Sequence, residues 1–341
     1  MLDFGLVLII GIIIVALIFD FTNGFHDSAN SISTVVSTKV LSPRHAVVFA
    51  AFFNFIAAFG FGVAVASTIS KIIQLDYVPA AIIPYIVLGG LLGAISWNLI
   101  TWYSGLPTSS SHALIGGLVG AGIAASGVAA IKISTVQTVV LFMVLSPIIG
   151  LIIAFVFMVI VLRISSGAPR SVAEVQFKRL QLFSAAAYSF SHGTNDAQKT
   201  MGIITPLLFS IGYFGATADP NNLPVPLWVI LAAHAAIALG TLFGGWRIVK
   251  TMGYGITRLR PVHGFAAETS GAATIIGASV FGIPVSTTHI ISTSIMGVGA
   301  TKGASFVKWG VARRIVLAWI LTIPISAAIG FAAFSVMRFF F

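Results

Sequence analysis

The sequence predicts an all-α integral membrane protein. It consists of two inverted-topology repeats of about five spans each, with broken or re-entrant helices and both termini outside. Three observations predict this. The 341 residues are 58% hydrophobic and only 8% charged, where a soluble domain carries about 25% charged residues as its polar skin. Apolar segments fall five and five about one long polar connection at 163–179. Two polar motifs occur in the first half and recur, in the same order, in the second.

At about 20 apolar residues per helical crossing, the chain holds roughly ten spans and leaves no room for a soluble catalytic domain. The first segment, 4–22, follows Met1-Leu2-Asp3, which has neither a basic n-region nor a small-residue cleavage site, so it reads as a retained span. Segments 46–70, 81–103, 111–130 and 137–162 complete the first half; 81–103 and 111–130 read equally as two spans or one deep hairpin. The second half runs 181–214, 227–246, 264–282, 285–301 and 315–337. The stretches 23–38 and 188–202 are rich in Gly, Ser, Thr, Asn and Asp beside apolar runs, and are expected to break their helices. The division is then 1–165, a first transmembrane repeat; 166–180, a cytoplasmic linker; and 181–341, a second, inverted repeat.

Crossing once per segment from an outside N-terminus places 14 Lys and Arg in the cytoplasm and leaves only Lys71, Lys132 and Arg338 outside, with Lys199 inside the membrane. That asymmetry is the positive-inside signature. The basic residues occur a few at a time between apolar segments, so the net charge of +10 does not point to nucleic acid. With no cysteine, disulfides, thiolate metal sites and cysteine nucleophiles are excluded. The lipid bilayer is the expected environment, and the sequence leaves a homodimer open.

The recurring motifs carry the chemistry. Gly24-Phe25-His26-Asp27-Ser28-Ala29-Asn30 aligns with Gly193-Thr194-Asn195-Asp196-Ala197-Gln198-Lys199, aspartates in register. Gly105-Leu106-Pro107-Thr108-Ser109-Ser110-Ser111-His112 aligns with Gly282-Ile283-Pro284-Val285-Ser286-Thr287-Thr288-His289. Asp27 to His112 is 85 residues and Asp196 to His289 is 93, a difference assigned to the Pro/Asn-rich loop at 219–226. Carboxylates at membrane depth cost several kcal/mol unless paired, hydrated or neutralised, so Asp27 and Asp196 read as cation or proton sites; the alternative is a structural ion pair with Lys199. Asn30 and Lys199 each lie three residues after their aspartate, and only Asn30 is suited to an oxygen cage. The Pro-Ser/Thr stretches read as capped helix starts, whose free amides and hydroxyls suit phosphate or sulfate; the alternative is plain capping at the water interface. His112 and His289 are candidates for proton or anion contact, or for interhelical hydrogen bonding. Glu268, before Thr269-Ser270-Gly271, is a further proton or cation candidate. No Ser-His-Asp or two-His metal spacing argues for an enzyme.

These motifs, together with HGFAAETSG at 263–271, resemble the inorganic phosphate transporter family in its short bacterial or archaeal form, over nearly the whole chain. The resemblance implies a secondary transporter without a cofactor, importing phosphate with a coupling cation across the plasma membrane of a prokaryote. It implies phosphate contacts from Ser109, Ser110, Ser111, Ser286, Thr287 and Thr288, and cation coupling through Asp27, Asn30, Asn195 and Asp196. Sodium-coupled members tend to have Asn where this chain has Lys199. A fixed ammonium there, near enough to contact the anion, favours coupling to a proton, or carriage of a divalent metal-phosphate complex, over sodium. Sulfate transport and a passive anion channel remain the rival expectations.

Overall fold

The computed structural model describes residues 4–60, 62–215, 219 and 222–340. The N-terminal tripeptide and part of the 219–226 loop, on which the readings of a retained first span and of extra spacing rest, lie outside the described residues. The described chain is helical throughout: α1 Phe4–Ser37, α2 Pro43–Ile56, α3 Ala64–Ser70, α4 Ile83–Tyr103, α5 Ser110–Ser126, α6 Ile133–Ile164, α7 Arg170–Ser210, α8 Leu227–Phe243, α9 Trp246–Lys250, α10 Pro261–Val280, α11 Thr287–Ala300 and α12 Trp309–Met337. Among the described residues, four helices are long and apolar enough to cross a membrane, or up to six spans if each bent pair, α2 with α3 and α8 with α9, counts as one.

The breaks do not fall where polar composition places them. The stretches 23–38 and 188–202 are expected to interrupt their helices, yet α1 and α7 run through them without a break. Their hydroxyls do not unwind the backbone, because they bond back to carbonyls of the preceding turn: Ser28 Oγ to Phe25 O at 2.9 Å, Ser191 Oγ to Tyr188 O at 2.8 Å and Thr194 Oγ1 to Phe190 O at 2.9 Å. Their glycines serve close approach. A Cβ on Gly24 would come within 2.1 Å of the Ile237 carbonyl on α8, and one on Gly193 within 2.6 Å of the Asn54 carbonyl on α2.

The true interruptions lie between α4 and α5 and between α10 and α11, and the two are built alike. Gly105 and Gly282 take positive φ (+64° and +68°) just past the preceding helix. Each ends its helix with the same pair of backbone bonds, Gly105 N–H to Trp102 O and Leu106 N–H to Thr101 O, then Gly282 N–H to Ser279 O and Ile283 N–H to Ala278 O. Proline follows, and the next helix opens at a serine cap. At 17 and 14 residues, α5 and α11 are about 25 and 21 Å long, short of a hydrocarbon core of about 30 Å. α4 is long and apolar enough to cross by itself, whereas α5 and α11 are shorter than the core. Most of the connection expected at 166–180 is helical, since α7 begins at Arg170.

Packing interleaves the two halves. α5 lies against α4 and α12, α11 against α10 and α6, α1 against α8 and α4, and α7 against α10 and α2. Buried apolar residues form two separate clusters. One includes Phe19, Leu91, Ala113, Ala197 and Met201; the other includes Ala29, Ala185, Tyr188, Val285 and Ile290. The polar motifs occupy the intervals between them on α1, α7 and the starts of α5 and α11. Because polar atoms held between two apolar layers have no bulk water, they must bond to one another.

Candidate functional site

Two faces and two tips converge in that polar layer. On α1, the continuous helix brings Asn23, Asp27 and Asn30 to one face at helical spacing. Asp27 Oδ1 lies 2.6 Å from His26 Nδ1, and its Oδ2 accepts a hydrogen bond from Ser110 Oγ at 3.1 Å; Ser110 is also 2.5 Å from Asn23 Oδ1. His26 is backed by Thr101, whose Oγ1 is 3.2 Å from Nε2. Asn30 reaches the second half of the chain, its Nδ2 donating to Thr288 Oγ1 at 2.8 Å and to Thr287 Oγ1 at 3.4 Å.

On α7, Asp196 is crowded by potential positive charge. Lys199 Nζ sits 2.6 Å from its Oδ1 and His192 Nε2 3.5 Å from its Oδ2, with all three side chains fully buried. Asn195 Nδ2 donates to Asp196 Oδ1 at 2.9 Å and to the Val285 carbonyl at 3.1 Å. The ion-pair reading is therefore realised for Asp196; Asp27 has a histidine and a hydroxyl in place of an ammonium. One ligand atom from each of Asp27, His192 and Asp196 lies within 4.8 Å of the others, a buried group that can hold a metal ion. Carboxylate oxygens this close repel unless a cation or proton lies between them.

The two helix tips supply the opposite chemistry. Ser109 caps α5 by accepting the His112 amide at 3.2 Å, and Ser286 caps α11 by accepting the His289 amide at the same distance. Ser109, Ser110, Ser111, Ser286, Thr287 and Thr288 are all buried, so water at a membrane surface is not what the tips address. Tyr188 OH, from α7, donates to the Thr287 carbonyl at 3.0 Å, and Ser111 Oγ reaches the Val285 carbonyl at 3.4 Å. The tips thus meet α1 and α7 with their amides at the positive ends of two helix dipoles. His112 and His289 also come together, ring centroids 4.9 Å apart, with His289 stacked on Trp319 at 3.8 Å.

Glu268 has its own set of hydrogen-bond partners. It accepts from Gln181 Nε2 at 3.0 Å and from Ser184 Oγ at 2.5 Å, and Gln181 in turn accepts from Thr38 Oγ1 at 2.9 Å. None of these partners belongs to the paired motifs. Conversely, the structure adds Asn23 and Tyr188 to the motif residues. Their signal is present as i to i+4 spacing, Asn23 to Asp27 and Tyr188 to His192, but it is visible only if the helices are continuous there.

The sequence model of the phosphate transporter family matches residues 23–173 and 165–330. A protein of Rhizobium meliloti (strain 1021) named "Probable low-affinity inorganic phosphate transporter" is 52% identical over 322 residues, 94% of each chain. One of Bacillus subtilis (strain 168) with the same name is 46% identical over 340 residues, covering all of both chains. Among solved structures, one named "The sodium-dependent phosphate transporter" matches with a TM-score of 0.88 at 27% identity, covering 98% of this chain and all of its own.

Proposed function

As this chain belongs to the phosphate transporter family, we propose that it imports inorganic phosphate across the plasma membrane of a prokaryote by symport with protons, alternating access between two inverted halves. The observation that carries this reading is the meeting of Asp27 and Asp196, with ligand atoms within 4.8 Å of each other and of His192, with two buried, serine-capped helix starts. The tips would hold the anion by their amides and hydroxyls, as helix N-termini do. The carboxylates would hold the compensating positive charge. No covalent step is required, so the protein acts as a carrier and not as an enzyme. The inverted-repeat reading is supported by the matched Gly105 and Gly282 turns and the matched Ser109 and Ser286 caps.

Proton coupling is favoured by Lys199. Its ammonium occupies Asp196, and a sodium ion at the same carboxylate would face a fixed like charge. Sodium coupling is the second reading, favoured by the structural match, a protein named for its sodium dependence. Phosphate uptake into proteoliposomes under separately imposed proton and sodium gradients tests the choice. Accumulation on the proton gradient with sodium absent is the expected result; a strict sodium requirement overturns it.

A further inference from the structure

Asp20 lies on α1, on the face that continues through Asn23 to Asp27. It is fully buried, no hydrogen bond of normal length and angle reaches either carboxylate oxygen, and of the uncharged side chains only Asn23 and Thr200 lie near enough to interact with it. The charged groups acting on it are Lys199 and Asp196, both from α7, with Asn23 and Thr200 beside it. Behind Asp196 stands His192. Of the other helices against α1, α4 carries no charged side chain, while α2 carries Arg44 and His45, α5 His112, α9 Arg247 and Lys250, α10 His263 and Glu268, and α11 His289. α8 brings only His234, whose Nδ1 is 2.9 Å from the Ile230 carbonyl.

An ionised carboxylate left without hydrogen bonds at membrane depth costs several kcal/mol, and stability alone would replace it with an apolar residue. An ion pair with Lys199 does not account for it here, because the ammonium is 2.6 Å from Asp196 and has no second ion-pair partner among the described residues. Two carboxylates, Asp20 and Asp196, thus face one ammonium. Binding a proton is the change that removes the cost at Asp20.

We propose that Asp20 is the carboxylate that carries the coupling proton, and that Lys199 passes between Asp196 and Asp20 as that proton is bound and released. This rests on the symport reading above. A proton taken from outside binds an Asp20 oxygen and leaves the ammonium to Asp196, the arrangement in this structure. Release of that proton to the cytoplasm restores the Asp20 charge, which draws the ammonium away from Asp196. One proton and one phosphate move inward, and the Lys199 proton count does not change.

Asparagine at this position mimics the protonated carboxyl and cannot release a proton. In proteoliposomes, Asp20→Asn is expected to keep exchange of external labelled for internal unlabelled phosphate. It should lose both accumulation on a proton gradient and the accompanying acidification of the lumen. Asp20→Glu, which keeps a titrating group, is expected to accumulate phosphate with its pH midpoint displaced. Proton-driven accumulation by Asp20→Asn, in vesicles where the wild type is also proton-driven, overturns this proposal alone. Loss of exchange and accumulation alike in both variants also overturns it, assigning Asp20 to structure. A wild type driven by sodium alone refutes the proton reading and this proposal with it.

Discussion

Asp27 and Asp196 differ in their surroundings although their motifs align: a histidine and a serine hydroxyl hold the first, an ammonium the second. Asp27→Asn and Asp196→Asn should each abolish gradient-driven phosphate accumulation while leaving the protein folded in the membrane; normal accumulation in both would remove the coupling role. Lys199→Asn removes the fixed charge and leaves Asp196 free to take a mobile cation. Its phosphate uptake is expected to become stimulated by sodium, read as the ratio of uptake with and without a sodium gradient. The aspartates and Lys199 were legible because charge inside an apolar segment is expensive and therefore conspicuous. Asn23 and Tyr188 were not, because polar side chains on a helix carry no such cost once they find a partner, and only the partner reveals them. Glu268 was conspicuous for the same reason as the aspartates, and composition alone did not show that it would bond to Gln181 and Ser184 and not to the motif residues.

The helices show where local chemistry overrules composition. The starts of α5 and α11 were readable because serine is a favoured N-cap, although Pro107 and Pro284, expected in the first turn, lie two residues before the caps Ser109 and Ser286. The continuity of α1 and α7 was not readable, since glycine and serine signal either a break or a close contact, and the choice is made by α8 and α2 packing against them. Removing the cap by Ser109→Ala or Ser286→Ala should cost about 1 kcal/mol each, seen as a lower unfolding midpoint in detergent, together with a raised KM for phosphate. Gly24→Val tests the packing directly. With the Ile237 carbonyl 2.1 Å from the new Cβ, α8 must move away, and the variant should unfold at a lower temperature than wild type; an unchanged midpoint would mean that the two helices do not meet at this glycine.

At the scale of the molecule, the hydrophobic content made the membrane-protein class legible, and the paired motifs made the matched Gly105 and Gly282 turns and Ser109 and Ser286 caps legible. The number of full crossings was not, because a half-length helix buried in protein is as apolar as one that crosses lipid. The chain's lack of cysteine makes its orientation testable without background. Single cysteines at Lys39 and Lys302 should react with an impermeant maleimide from the cytoplasmic side only, and those at Lys71 and Lys132 from outside only; the reverse pattern would invert the topology. The account as a whole depends on one anion lying where the two helix starts meet the aspartates. An experimental structure of the reconstituted protein with arsenate, a heavy tetrahedral analogue of phosphate, tests this most directly. The account predicts anomalous scattering from arsenic between the starts of α5 and α11, beside Asp27 and Asp196, with the arsenate oxygens within about 3 Å of donors on both helix starts; arsenic bound only at the protein surface would contradict it.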